Sequence, residues 1–289
     1  MEIEVYTLDV FAKGTNGGNP AGVVLDANFL SKDDMQKIAK KVGLSETAFV
    51  QNSDSADYKV TFFTPDKEVD LCGHATVAVF YLLTNKEIIQ TGEYTQETKA
   101  GILKVECRDD GYIYMDQCNP EFYEKLDKKE IAETLNIDID DIMDDLPIQI
   151  VSTGLKDILI PIKSLETLYK IEPNFDKISR VSKKYDVTGY HLFTLETKFD
   201  SIAHCRNFAP LYGIPEEAAT GTSNGALSCY LYKYKIILEK DIKKLVFEQG
   251  YSMEKPSNIL IDLIIYDNKI LEVKVGGAAL NIQKKKIKL

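Results

Sequence analysis

The sequence has few of the residues that form metal sites or disulfide frameworks. Its 289 residues include only three histidines and five cysteines, and no two cysteines form a CxxC pair. An odd number of scattered cysteines is typical of reduced thiols in a cytoplasmic protein and argues against a zinc site. With so few histidines, a His-rich metal centre is not expected either. The sequence therefore predicts no metal.

Long apolar runs and positive charge are also missing. No apolar segment approaches the ~20 residues that a helix needs to cross a bilayer, and the acidic start of the chain does not resemble a signal peptide. A net charge of −10 argues against a general nucleic-acid-binding surface. The Lys-rich segment 284–288 is the local exception, and a solvated terminal strand explains it. We expect a cytoplasmic protein that binds neither nucleic acid nor membrane.

The length of the chain predicts two domains. Residues 119–126 resemble a connector, so we place the boundary after residue 118. Residues 1–118 then form an N-terminal lobe and residues 119–275 a C-terminal lobe. We expect the last strand, within residues 276–289, to return to the first lobe.

Two stretches of the chain repeat one design. Phe-x-Pro at 63–65 leads to Cys-Gly-His-Ala-Thr at 72–76, and Phe-x-Pro at 208–210 leads to Thr-Gly-Thr-Ser-Asn-Gly at 220–225. A fainter match joins segments 45–50 and 188–193, in the same order. This shared order indicates duplication and predicts two pseudo-symmetric lobes.

Each glycine-containing turn is followed by an apolar helix pattern, at 75–83 and 226–238. The first helix is apolar on nearly every side, so we expect a sheet to enclose it. The start of a helix presents unpaired N–H groups and a positive dipole end, which suit a carboxylate. Two such starts facing across a cleft would form a site for a small carboxylic acid.

Two further segments of the sequence carry clear signals of local structure. Ser31 with Asp34 resembles a capping box that begins a helix, and Gly43 ends that helix. The Asp-Asp-Gly sequence at 109–111 separates two segments with strand patterns and predicts a hairpin.

Glu46 and His74 are the first-half residues best suited to proton transfer. Glu46 lies among small and apolar residues before an apolar strand, a setting that suits a general acid–base. His74 begins the enclosed helix, where an imidazole could relay a proton or hold a substrate. The alternatives are a glutamate that reaches water and a histidine that caps or packs the helix. These residues alone leave both interpretations open.

Cys72 lies at the same helix start, where the dipole would favour a thiolate. Its second-half counterpart is Thr220, whose hydroxyl is too weak an acid to match it, so a two-thiol racemase lacks one thiol. We interpret Cys72 as a small packing residue near the site. Two glutamates at 216–217 bring acidic groups near the second turn, where one could orient His74 or bind a substrate amine, or both could be solvated.

The glycines at positions 14, 17 and 18 do not form a nucleotide-binding loop. Their spacing matches neither GxGxxG nor a P-loop, and a strand pattern follows them instead of a helix. We therefore expect no cofactor.

These motifs together resemble the phenazine-biosynthesis PhzF-like isomerase family, which is related in fold to diaminopimelate epimerase. The resemblance runs almost from end to end and depends on several ordered motifs. The matching segments are residues 9–11, 18–21, 45–49, 71–76, 206–210, 213–222, 248–250, 256–257 and 275–277.

The resemblance implies an α+β fold of two lobes, each a mostly antiparallel β barrel or roll around a central helix. It also implies a cofactor-independent isomerase that moves a proton on a small carboxylate at an interdomain cleft, often as a homodimer. Glu46 matches the family's general acid–base and His74 its partner histidine. Other matching positions, with Cys72 and Thr220 beside them, are expected to contact substrate. They are Asn19, Gly73, Gly221 and Thr222.

The second half departs from the family pattern. The acidic site residue of the Glu-Asp-Pro-Ala-Thr-Gly motif falls on Glu217, one methylene longer, and Ala218 replaces the proline. Asn224 and Gly225 follow where small alanines are common. These changes affect the expected substrate more than the reaction type. Two alternatives remain: a racemase or epimerase that uses Cys72 as a base, and a non-catalytic homologue that binds small molecules.

Overall fold

The computed structural model describes residues 1–239 and 242–289, and it separates into two compact units. The first unit is Met1–Asp116 with Gly276–Leu289, and the second is Gln117–Val275. These boundaries lie close to the expected ones at 118 and 276. Within the described ranges, no helix combines the length and apolar character needed to cross a membrane.

The described residues form six α-helices and eighteen β-strands. The helices are α1 (Lys32–Val42), α2 (Gly73–Asn85), α3 (Lys128–Leu135), α4 (Leu165–Lys170), α5 (Phe175–Tyr185) and α6 (Gly221–Lys233). The strands are β1 (Glu2–Val10), β2 (Asn19–Val24), β3 (Glu46–Gln51), β4 (Tyr58–Phe63), β5 (Glu68–Val69), β6 (Gly92–Thr98), β7 (Gly101–Cys107), β8 (Ile113–Asp116), β9 (Glu121–Lys125), β10 (Gln149–Ser152), β11 (Lys156–Pro161), β12 (Gly189–Thr194), β13 (Ala203–Ala209), β14 (Ile214–Glu217), β15 (Leu245–Gln249), β16 (Ser257–Tyr266), β17 (Lys269–Gly277) and β18 (Ala279–Lys288).

The first unit is a mostly antiparallel sheet wrapped around α2. Its strands pair in the order β18, β1, β2, β3, β4, β6, β7, β8, and only β2 with β3 and β4 with β6 run parallel. Helix α2 packs against β1, β2, β3, β7, β8 and β18 and buries most of its residues. This confirms the enclosed helix, because an apolar surface on every side must be covered.

The second unit repeats that topology. Its strands pair in the order β9, β10, β11, β12, β13, β15, β16, with parallel pairs at β11 with β12 and β13 with β15. Helix α6 packs against β10, β11 and β16 and is buried from Ser223 to Leu231. The predicted fold class, two pseudo-symmetric lobes each built around a central helix, is therefore confirmed.

The connector predicted at 119–126 is wrong. Glu121–Lys125 forms β9, which pairs antiparallel with β10. Its charged, half-exposed side chains are typical of a loop. They are also typical of an edge strand, because charged side chains prevent such a strand from pairing with other chains. The Lys-rich β18 pairs with β1 in the corresponding place of the first unit. The second central helix also ends earlier than expected, at Lys233.

The two local signals form as predicted. Ser31 and Asp34 make a reciprocal capping box at the start of α1, and Gly43 ends the helix in the left-handed region at φ 69°. Gly111 takes φ 81° in the turn between β7 and β8, where only a residue without a Cβ adopts that conformation at little cost.

Candidate active site

Four of the predicted site residues meet in the first unit, around the imidazole ring of His74. Nε2 of that ring lies 3.3 Å from Glu46 Oε2. Nδ1 lies 3.5 Å from Asn19 Nδ2 and also 3.5 Å from Cys72 Sγ. The side chains of His74 and Glu46 are only 7% and 17% exposed. The cluster therefore combines a carboxylate, an imidazole, a thiol and an amide in a sheltered place.

The fold brings these residues together at the ends of its elements. Asn19 is the first residue of β2, and Glu46 is the first residue of the parallel strand β3. Cys72 is the N-cap of α2, and His74 is its second residue. Because parallel strands begin at the same sheet edge, the chain positions these side chains through backbone pairing and the helix start.

Glu46 carries a buried oxygen without a hydrogen bond. Oε2 is close to the His74 ring, but the geometry is not that of a hydrogen bond, and no other described residue donates to it. A buried polar atom left unpaired costs about 1–3 kcal/mol. Such atoms are rare in folded proteins and concentrate where function requires them.

The two enclosed helices begin differently from the other four. Helices α1, α3, α4 and α5 each begin with a side chain that accepts a backbone N–H, and each has an acidic residue in its first turn. Helices α2 and α6 begin at Cys72 and Thr220, make no side-chain cap bond, and have no acidic residue in the first turn. The first N–H groups of α2 and α6 therefore have no capping side chain, and N–H groups at a helix start are the groups that bind anions.

In the second unit, the predicted residues form a closed hydrogen-bond network. Thr220 Oγ1 donates to Glu217 Oε2 at 2.8 Å. The buried amide of Gln249 donates to Thr220 Oγ1 and to the backbone oxygen of Glu217, and its oxygen accepts from Thr220 N and from Asn224 Nδ2. Gly221 begins α6, and the backbone oxygen of Thr222 accepts from Thr153 Oγ1. The loop between β14 and α6 is therefore held rigidly.

Glu216 has a structural role. Arg206 binds both of its carboxylate oxygens at 2.9 Å, and the same guanidinium donates to the backbone oxygens of Leu168 and Ile171. This pair holds β13 against β14 and the end of α4. Of the two glutamates at 216–217, Glu217 is the one whose carboxylate lies at the turn before α6.

Sequence reasoning missed a buried polar cluster in the second unit. Ser223 Oγ donates to Asp157 Oδ2 at 2.5 Å, and Asn207 Nδ2 lies 3.2 Å from both Ser223 Oγ and His191 Nδ1. Burial raises the pKa of Asp157 to about 7 and lowers the pKa of His191 to about 3. The sequence signal that could have revealed this cluster was its aspartate, a single acidic residue within the apolar strand β11. Gln249 was also missed, although it lies in the Glu-Gln-Gly segment at 248–250.

The chain is similar to known proteins over nearly its whole length. Residues 8–285 match the family model described as phenazine biosynthesis-like protein. The chain belongs to this family. It is 38% identical over 295 residues to an uncharacterized isomerase of Clostridium acetobutylicum, covering 99% of this chain and 98% of the relative. It is also 38% identical over 269 residues to an uncharacterized isomerase of Bacillus subtilis, covering 91% of each chain.

Solved structures agree with this family assignment. A PhzF-family phenazine biosynthesis protein of Bacillus anthracis is 33% identical, with a TM-score of 0.89 and complete coverage of both chains. A hydroxyproline epimerase of Agrobacterium vitis has a TM-score of 0.60 at 12% identity and shares the fold alone, covering 98% of this chain and 91% of its own. This PhzF-family protein is an isomerase enzyme.

Proposed function

We propose that this isomerase moves a proton on a small carboxylic acid without a cofactor, with Glu46 as general acid–base. Glu46 removes a proton from a carbon next to an activating group, and it returns the proton to another position on the same face of the substrate. The product has the same atoms as the substrate, with one C–H bond broken and one formed.

The buried, unpaired Oε2 of Glu46 is the observation that carries this proposal. An oxygen sheltered from water and not occupied by a donor is placed to accept a proton from substrate, and general acid–base catalysis requires such direct reach. The amide of Asn19 near Nδ1 favours a His74 ring that accepts there and carries its proton on Nε2, toward Glu46. His74 then orients the carboxylate of Glu46, or a substrate oxygen, during transfer.

We propose that both uncapped helix starts contribute to substrate binding. Gly73, beside Cys72, would present the first N–H group of α2, and Gly221 and Thr222 would present those of α6. The N–H of the preceding Thr220 is already bonded to Gln249, so this residue would border the substrate instead. Backbone N–H groups fixed in advance stabilise negative charge that develops on a carboxylate during deprotonation. Glu217, held by Thr220, and Asn19 would contact other polar groups of the substrate. That both helix starts act on one substrate in a cleft, and that the enzyme is a homodimer, belong to the proposal.

A second candidate is a racemase or epimerase that uses Cys72 as one of two bases. The contact of Cys72 Sγ with the His74 ring favours this alternative, because an imidazole can take the proton of a thiol. A two-base mechanism also needs a second base, and the matching N-cap in the second unit is a threonine. We therefore prefer a single carboxylate base.

The test is exchange of substrate C–H protons in D₂O, followed by NMR over a panel of small carboxylic acids. With an acid that the enzyme exchanges, Glu46→Gln should lower the rate roughly 10²–10⁴-fold and leave binding within about threefold. Glu93→Gln is the matched control, because Glu93 is an exposed glutamate on β6 of the same unit.

Undiminished exchange in Glu46→Gln would remove the proposed base. A wild-type enzyme that binds members of the panel but exchanges none of their protons would instead identify a binding protein that has lost catalysis.

A further inference from the structure

We propose that Glu46, Cys72 and His74 form a reversible zinc site whose occupation blocks the enzyme. The carboxylate oxygen, the thiol sulfur and a ring nitrogen all lie within 4.8 Å of one another. Carboxylate, thiolate and imidazole are the three ligand types that proteins use for Zn²⁺, and three protein ligands with one open position are typical of accessible zinc sites.

Two of the distances among the three ligands are close to those around one tetrahedral ion. Zinc bonds of the usual lengths place nitrogen and oxygen ligands roughly 3.3 Å apart, and nitrogen and sulfur ligands roughly 3.6 Å apart. Nε2 of His74 lies 3.3 Å from Glu46 Oε2 and 3.9 Å from Cys72 Sγ. The second distance is a few tenths of an ångström longer than the tetrahedral value.

A second observation points to a ligand at the same place. Glu46 Oε2 is buried and has no hydrogen bond from any described residue, so it can bind a cation without losing an existing partner.

Asn19 supplies the support that a metal-bound histidine usually has. When Nε2 binds a metal, Nδ1 carries the ring proton and needs an acceptor. The Asn19 amide faces Nδ1, and rotation of that amide by half a turn exchanges its NH₂ for its oxygen. The same asparagine therefore fits both the metal-free ring and the metal-bound ring.

The inhibitory part of this inference rests on the proposed function, because the ion would occupy the oxygen that accepts the substrate proton. Zinc binding itself does not depend on the proposed function. Soft and borderline ions should bind, since thiolate and imidazole ligands favour Zn²⁺ and Co²⁺ over Mg²⁺.

The test is titration of the whole protein with Co²⁺, followed by the thiolate-to-cobalt charge-transfer absorption, and with Zn²⁺ by calorimetry. We expect a charge-transfer band and one high-affinity zinc site. Cys72→Ala should abolish the band and weaken zinc at least about tenfold. Cys118→Ala is the control, because Cys118 is an exposed free thiol outside the cluster, and it should leave both signals unchanged.

Cys72→Ser and circular dichroism guard against a folding defect, since serine keeps the size of the side chain. A wild-type protein without the band, or a band that persists in Cys72→Ala and disappears in Cys118→Ala, would overturn the zinc site. In the exchange assay, Zn²⁺ should inhibit and a chelator should restore activity, whereas Mg²⁺ should not inhibit. Binding that leaves exchange unaffected would overturn the inhibitory role alone.

Discussion

The two units share a topology but differ where the first carries Glu46. In the first unit, Glu46 lies opposite Ala21, and the next residue, Thr47, lies opposite Phe63 of the Phe-x-Pro segment. In the second unit, Gly189 lies opposite Asp157, and the residue after it lies opposite the corresponding phenylalanine. Gly189 is therefore the counterpart of Glu46, and the second unit has no side chain there.

The second unit could not accommodate a side chain at position 189 without rearranging. A Cβ on Gly189 would lie 2.1 Å from the backbone oxygen of Phe208, far inside van der Waals contact. Its acidic group lies instead on the neighbouring strand, where Asp157 is fully buried against Ser223. Only the first of the two similar units therefore carries a carboxylate at this position. A single carboxylate favours the proposed mechanism, in which the residue that removes the proton also returns it.

Gly189→Ala tests this comparison with the largest expected effect on stability. The new methyl group meets backbone, which cannot move aside as a flexible side chain can, so we expect a loss of about 3 kcal/mol or more. Urea unfolding measures it. Gly14→Ala is the control, since no atom lies within 4 Å of its added Cβ. Equal stability of both variants would show that β12 adjusts freely.

Asp157→Asn should change how stability depends on pH. Burial raises the folded pKa of Asp157 from 3.8 to about 7, so the unfolded chain loses this proton first. The contribution of Asp157 is fully present below about pH 4 and is lost as the pH rises to about 7. The variant should therefore gain stability relative to wild type across that interval. His191 makes the free energy of unfolding depend on pH in the opposite direction. Because it does so in both wild type and variant, its effect cancels in the difference between them. A difference that does not vary with pH would contradict the assignment.

Thr220→Val tests the closed network of the second unit. The hydroxyl of Thr220 donates to Glu217 and accepts from Gln249, and its loss leaves both partners short of a bond. We expect about 1–2 kcal/mol less stability in thermal unfolding. Cys72→Val, the corresponding change in the first unit, should cost less, because the contact of its sulfur with the His74 ring is weaker than the two hydrogen bonds of the Thr220 hydroxyl. The reverse order would mean that the first helix start is the more tightly held one.

Cys72→Ala should have the smallest effect on turnover. If Glu46 is the base, proton exchange should fall less than about tenfold, since only a neighbour of His74 is lost. If Cys72 is a base, the loss should reach roughly 10²–10⁴-fold. The deuterium-exchange assay distinguishes these outcomes, and Cys107→Ala provides a comparison with another buried cysteine of the same unit.

Much of the fold was predictable because its signals are local or periodic. The capping box at Ser31, the hairpin at Gly111 and the all-apolar α2 each follow from residues a few positions apart. The edge strand β9 was not predictable from the sequence, because its charged residues are typical of a loop and only the backbone pairing with β10 identifies a strand. The role of Gln249 depends on Thr220 and Asn224, which are distant in sequence.

The sequence by itself determined the duplication and the enclosed first helix, because repeated motifs and an apolar pattern lie along the chain, and its family motifs selected Glu46 and His74 as site candidates. The tertiary structure decided which atoms meet. It brought the Cys72 sulfur and the Asn19 amide to one imidazole ring, left one oxygen of Glu46 buried without a donor, and closed the position of Gly189 to any side chain. These features depend on strand register and on distances between remote residues, which no pattern of neighbours specifies.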